Sequence, residues 1–233
     1  MRLPSQEEKA RTVRDMFDRI APGYDRMNGL MTGGLDRVWR RRLMREVGIG
    51  AGDRVVDLGC GTGDLIELAN GVGAHAIGVD PAGGMLSVAR DRGMGGSVVQ
   101  GDALAIPLAD ASVDVVTTAF ALRNVLSIPP VFQESARILR PGGRIAILEV
   151  SQPQFAPARA VHSFYFQKVV PLVGQLLADR DAYRYLPASV AYLPEPPALM
   201  AMLEESGFGQ VRRVSLGAGA VQLLLGSRLG GSA

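Results

Sequence analysis

The stretch from Asp53 to Gly63, D-R-V-V-D-L-G-C-G-T-G, constrains this chain more than any other. Val55, Val56 and Leu58 form a short apolar run of the kind buried on both faces of a parallel sheet. The run breaks into Gly59, Gly61 and Gly63, with Asp57 just ahead, and Asp64 to Ala69 then reads as a helix. A strand that turns through glycines into a helix brings backbone N–H groups close to a ligand, because a Cβ at those positions would block the approach. The spacing is not the G-x-G-x-x-G of dinucleotide folds, whose third glycine falls one residue later.

The rest of the chain extends this unit. Strands are expected over Val55–Leu58, Ala74–Val79, Ser97–Gln100, Val115–Phe120 and Arg144–Val150, with helices over Gly83–Arg90 and Pro129–Leu139. Arg140-Pro141-Gly142-Gly143 stops the last of these helices. A helix over Glu195–Ser206 and a strand pair, Gly209–Leu216 and Ala220–Arg228, close the chain. The pattern predicts an α/β fold: a doubly wound, seven-stranded mixed sheet with N-terminal helices and a helical lid insertion. We read one domain, with a helical cap at 1–50, a cofactor-binding core at 51–150, a lid at 151–194 and the C-terminal helix and strand pair at 195–233. Ligands of such sheets sit at the carboxyl ends of the strands. Asp80, at the tip of strand two, can accept hydrogen bonds from both ribose hydroxyls of a nucleoside, or cap the helix that follows. Asp102, beside Ala103 after strand three, can accept from an adenine amine. Phe120-Ala121-Leu122-Arg123-Asn124 follows strand four.

Composition excludes several classes. With 47% hydrophobic and 21% charged residues the chain reads as globular, and a net charge of +2 leaves no nucleic-acid footprint. Cys60 is the single cysteine, which excludes an intramolecular disulfide, a thiolate metal cluster and a two-cysteine mechanism. His75 and His162 are solitary, and no metal-ligand spacing occurs. The polar N-terminus lacks a leader, and the apolar window Ala160–Ala178 is interrupted by His162, Gln167, Lys168, Pro171 and Gln175, so a cytoplasmic protein is expected. Residues 1–12 read as a frayed lead-in, followed by a helix over Val13–Ile20, a break at Ala21-Pro22-Gly23 with polar and aromatic residues after it, and a helix over Leu35–Val47. The second helix carries Arg37, Arg40, Arg41, Arg42 and Arg45, either a solvated face or a patch for anionic lipid. Only Lys9 and Lys168 are lysines, a bias we read as genome composition. Residues 151–194 hold seven of the twelve Phe and Tyr residues, as a lid or as the core of an inserted helix pair.

The D-x-G-x-G-x-G loop resembles the first motif of S-adenosylmethionine-dependent methyltransferases. A wider resemblance covers nearly the whole chain. Phe17 to Asn28, the loop from Asp57 to Asp64, Ala119 to Val125, Arg137 to Gly143 with Leu148 to Ser151, Val170 to Gly174 and Tyr183 to Leu186 are similar to motifs of the menaquinone and ubiquinone biosynthesis methyltransferases. The resemblance implies S-adenosylmethionine as cofactor, held by Asp57, Gly59, Gly61, Thr62, Gly63, Asp80, Asp102, Ala103 and Ala119. It implies methyl transfer to a ring carbon of a prenylated hydroquinone, demethylmenaquinol foremost, with another quinol, phenol or secondary metabolite as the alternative. Arg123 would stabilise the phenolate and Asn124 orient it, with a salt bridge that pins its loop as the alternative for Arg123. Tyr24 and Asp25 would face the same cavity, with Asp25 as base or water-holder and His162 as a second candidate base. Weak contact with the inner membrane face is expected, no nucleic-acid partner is, and a homodimer stays open. The chain departs from the family at Thr32, where Ser is usual, and at Asp36 and Leu224, where His is usual; the last two bear on the substrate.

Overall fold

The computed structural model describes residues 6–153, 155–157, 159, 185 and 188–230. His162, Phe164, Tyr165, Phe166, Tyr183 and most of the expected lid lie outside the described residues.

Seven strands form one sheet in the order β3-β2-β1-β4-β5-β7-β6. They are β1 (Arg54–Leu58), β2 (His75–Asp80), β3 (Val98–Gln100), β4 (Val113–Ala119), β5 (Leu139–Val150), β6 (Phe208–Leu216) and β7 (Val221–Arg228). The first five pair in parallel, and β7 runs antiparallel between β5 and β6. The expected mixed sheet is therefore what forms. Its order turns back on itself at β1 and β4, the switch point beside which ligands of such sheets bind.

Successive strand residues point to opposite faces, so each face selects its own apolar set. Val55, Val115, Ala146, Leu148, Leu223 and Leu225 pack on one side, against Leu43 and Val47 of helix α3 (Leu35–Val47) and Leu65 and Ile66 of α4 (Asp64–Gly71). Val56, Val116, Ile145, Ile147 and Leu224 pack on the other, against Val131, Phe132 and Ile138 of α6 (Ile128–Ile138) and Leu199 and Leu203 of α7 (Pro196–Glu205). Leu224 is thus a fully buried core residue. Its departure from the family pattern alters packing and does not reach a substrate, which corrects half of the expectation placed on the two missing histidines.

The N-terminus also departs from its reading. Helix α1 begins at Gln6 and runs to Ile20, so much of the expected frayed segment is helical. Val13, Met16 and Ile20 pack it onto Met85 of α5 (Gly83–Ala89). The Ala-Pro-Gly break is a single 3-10 turn, Ala21–Gly23, and helix α2 (Tyr24–Thr32) follows at once. Helix α2 ends at Gly33, whose φ of 59° is the left-handed conformation that commonly closes helices.

Candidate active site

The loop after β1 meets the tips of β2, β3 and β4 around one cavity. Gly59, Gly61, Asp80, Asp102, Ala103 and Ala119 line it from the sheet side, and Val13, Phe17 and Tyr24 roof it from α1 and α2. The loop glycines have different reasons. A Cβ on Gly59 would lie 2.4 Å from the Ala121 Cβ, and one on Gly63 2.5 Å from the Met94 Cε, so those two are fixed by packing. A Cβ on Gly61, at a φ of 55°, would meet no protein atom; there the glycine keeps the loop's approach to the cavity clear.

Asp80 is buried and ties the loop to the β2 tip. Its Oδ2 accepts from the Gly61 N–H and its Oδ1 from the Ala82 N–H, each at 2.8 Å. Burial pushes its carboxyl upward, opposed by those two bonds. Each oxygen keeps a lone pair for a further donor. The helix-capping alternative is realised only in the bond to Ala82, at the entry to α5. The Asp102 Oδ1 accepts from the Leu104 N–H at 3.0 Å, which sets the turn that presents Ala103. Asp57 is buried beneath the loop and accepts from the Thr117 hydroxyl at 2.8 Å. Burial pushes its carboxyl up to about 7, with the Thr117 bond and Arg40 acting the other way. Cys60 is buried, which pushes its thiol far up; it packs under the loop and is no nucleophile.

A second, larger cleft of about 820 Å³ opens beside the first. Tyr24 and Phe120 line both, and Asp36, Trp39, Arg40 and Arg123 join them in the second. Phe120 has a φ of 60°, a conformation that bulky residues adopt only when their surroundings impose it. Its N–H donates to the Leu148 carbonyl at 2.7 Å. Its ring lies 6.3 Å from that of Trp39 and 5.3 Å below the Arg40 guanidinium.

Asp25 does not share this cleft with Arg123. Its Oδ1 accepts from the Thr62 hydroxyl at 2.6 Å and its Oδ2 from Arg92 at 3.2 Å. Arg92 also bonds Asp64, Glu67 and the Thr62 carbonyl, so Asp25 belongs to a clamp on the outside of the glycine loop. The carboxylate that lines the large cleft is Asp36, held by the Thr32 hydroxyl at 2.8 Å and by Arg40 at 3.1 Å.

Arg123 lines the large cleft and is also a loop pin. One Nη1 donates to the Phe120 carbonyl at 2.6 Å and to the buried Glu149 at 2.7 Å, and Nε donates to the Ser189 hydroxyl at 3.1 Å. Among the described residues nothing accepts from its Nη2. Asn124 lines the first cavity, and its Oδ1 accepts from the buried Tyr185 hydroxyl at 3.1 Å. Burial pushes that phenol up to about 12, so it is a donor throughout the neutral range. Lys9 was missed entirely. It is buried in α1, donates to the carbonyls of Arg123 and Val125 at 3.0 and 2.7 Å, and stands 3.8 Å from the Tyr192 ring. Its signal was its rarity, one of two lysines in an arginine-rich chain. Glu149 was signalled by its place as the one acid in the apolar run Ile145–Val150.

The expected cofactor residues thus gather at one cavity, apart from Asp57, Thr62 and Gly63, which lie under and behind the loop. Asp57 and Thr62 border a small adjoining pocket with Arg40. No group of three or more potential metal ligands occurs among the described residues.

This sheet order with its strand-tip cavity is that of a class I methyltransferase. A SAM-dependent methyltransferase from Thermotoga maritima superposes with a TM-score of 0.65 at 22% identity, over 92% of this chain and 99% of that one. Phosphoethanolamine N-methyltransferase 2 from Haemonchus contortus gives 0.67 at 15% identity, over 93% of this chain and 60% of the other. More specifically, the chain belongs to the ubiE/COQ5 methyltransferase family, whose profile matches residues 4–228. It is 43% identical to a demethylmenaquinone methyltransferase of Roseiflexus sp. strain RS-1, over 94% of this chain and 95% of that protein. It is 37% identical to a ubiquinone/menaquinone biosynthesis C-methyltransferase of Paracoccus denitrificans, over 98% and 95%.

Proposed function

We propose that this methyltransferase transfers a methyl group from S-adenosylmethionine to a ring carbon of a prenylated hydroquinone, demethylmenaquinol foremost. The observation that carries this is the pairing of two clefts across Tyr24 and Phe120, one with nucleoside chemistry and one largely apolar and wide enough for a fused ring. The residues present suit the cofactor: Asp80 has lone pairs for ribose hydroxyls, Asp102 and Ala103 stand at the next strand tip for adenine, and Gly61 leaves the loop open.

S-adenosylmethionine, when bound, supplies an electrophilic methyl group that requires an electron-rich carbon in line with it. Arg123 makes such a carbon available. Its Nη2, which nothing among the described residues engages, donates to a ring hydroxyl, and its charge lowers that hydroxyl's pKa, enriching the ortho carbon. Glu149 and Ser189 hold the guanidinium in place. Asp36 takes the proton-accepting role foreseen for Asp25, because it lines the cleft and Asp25 does not. Asn124, expected to orient the phenolate, lines the nucleoside cavity instead, where Tyr185 fixes its amide on the cofactor side of Phe120. Orientation of the two reactants and exclusion of water supply about 7–11 kcal/mol of barrier reduction in well-aligned systems.

The prenyl tail leaves through the rim of the large cleft. Leu30 and Leu35 there are 59% and 48% exposed, and neighbouring Val38 is 51% exposed. Arg37, Arg41 and Arg45 are exposed beside them, whereas Arg40 is buried and Arg42 pairs with Glu46. Exposed apolar residues ringed by arginines suit a weak contact with an anionic bilayer. No helix among the described residues is long and apolar enough to cross a membrane.

Incubation with S-adenosylmethionine and a reduced short-tail demethylmenaquinol, followed by mass spectrometry, tests the proposal. A monomethylated quinol is expected. Methylation of soluble phenols with the quinol untouched would transfer the function to the alternative substrate class.

A further inference from the structure

We infer that Arg40 anchors the carboxylate of the cofactor's amino-acid end, an assignment that rests on the cofactor reading above. The small pocket behind the glycine loop is bordered by Gly59, Gly61, Thr62, Asp57, Asp64 and Arg40. It continues from the nucleoside cavity through Tyr24, Gly59, Gly61 and Ala119, which line both. An amino-acid group that enters there brings one ammonium and one carboxylate. Asp64 and the loop carbonyls suit the ammonium. Arg40 is the one cationic side chain among the described residues that border the pocket.

Arg40 is built to act there. Its side chain is 7% exposed, so its charge is little screened by water. Nη1 donates to Asp36 at 3.1 Å, while Nε is only loosely paired with Asp64, at 3.5 Å. Nothing among the described residues accepts from Nη2. A planar guanidinium with Nη2 free and Nε loosely held can grip a carboxylate through two parallel N–H bonds. The Phe120 ring beneath and the Asp36 bond beside it fix the guanidinium plane before any ligand arrives. The same group borders the large cleft, so fixing the amino-acid end at Arg40 also fixes the approach of the methyl group toward the ring.

The test compares three ligands by calorimetry on the full chain: S-adenosylmethionine, its decarboxylated analogue and 5′-methylthioadenosine, which lacks the amino-acid end. The wild type should prefer S-adenosylmethionine over the decarboxylated analogue by roughly 10- to 100-fold, the worth of a charge-assisted bidentate contact. A double variant, Asp36→Asn with Arg40→Met, removes the guanidinium without leaving Asp36 charged and unpaired. It should bind the two within about threefold of each other, and bind 5′-methylthioadenosine as the wild type does. Arg40→Lys, which keeps a point charge but loses the fork, should fall between. Equal binding of the first two ligands by the wild type overturns the assignment without reference to any variant. Full discrimination retained in the double variant overturns it as well, while leaving the cofactor reading intact. Failure of the wild type to bind any of the three overturns the cofactor reading itself.

Discussion

Arg123 shows how one side chain carries both structure and chemistry. Its ion pair with Glu149 is buried on both sides, at 7% and 0% exposure. Removing one partner of such a pair leaves an uncompensated charge, so Arg123→Ala should lower stability by about 3–5 kcal/mol as well as abolish turnover. Urea titration checks this; an unchanged midpoint would show that the pair holds nothing. Asp57 gives a pH signature. Its carboxyl holds its proton up to about 7 in the folded chain, against an unfolded value of about 4. Its contribution to stability is therefore full below the unfolded value and lost as pH rises through 7. Asp57→Asn has no such loss, so its stability relative to wild type should climb between about pH 5 and pH 8 in paired denaturant titrations. Parallel curves would contradict the burial argument. That Gly59, Gly61, Asp80 and Asp102 would gather at one cavity was legible in the sequence, because strand tips and glycine spacing announce their positions. The direction of Asp25 was not. It is set by Arg92, which is distant in sequence and reaches over the loop to claim the carboxylate.

At the scale of elements, the strands were readable because each face of the sheet demands an unbroken apolar set. Helix α1 was under-read for the opposite reason: its first turns are polar, and their anchor is a charged residue. Lys9 latches that helix to the loop after β4 through the Arg123 and Val125 carbonyls. Lys9→Met removes both bonds and should lower stability by about 1–3 kcal/mol. It should also speed amide hydrogen exchange in α1 and in residues 122–124, read by mass spectrometry. Exchange confined to its present rate would mean that packing by Val13, Met16 and Ile20 alone seats the helix. Pro22 and Gly23 look like punctuation, yet a single 3-10 turn absorbs them, and helix α2 then starts at Tyr24 and places it between the two clefts.

For the whole molecule, the order of the sheet sets the crevice, and α1 to α3 wall it into two connected clefts with an apolar rim. A triple variant, Leu30→Ser with Leu35→Ser and Val38→Ser, should float less with anionic vesicles while its affinity for S-adenosylmethionine stays the same. Undiminished flotation would place membrane contact elsewhere. The family pattern pointed to Asp36 and Leu224 together as bearing on the substrate; Asp36 lines the large cleft while Leu224 stays in the core, since side-chain facing depends on sheet register. The most direct test of the account is a single turnover with S-adenosylmethionine labelled at its methyl carbon and a reduced short-tail demethylmenaquinol, with the label located by NMR. The account predicts label on the ring carbon beside a hydroxyl. Label on a ring oxygen, or cofactor bound with no transfer to the quinol, would contradict it.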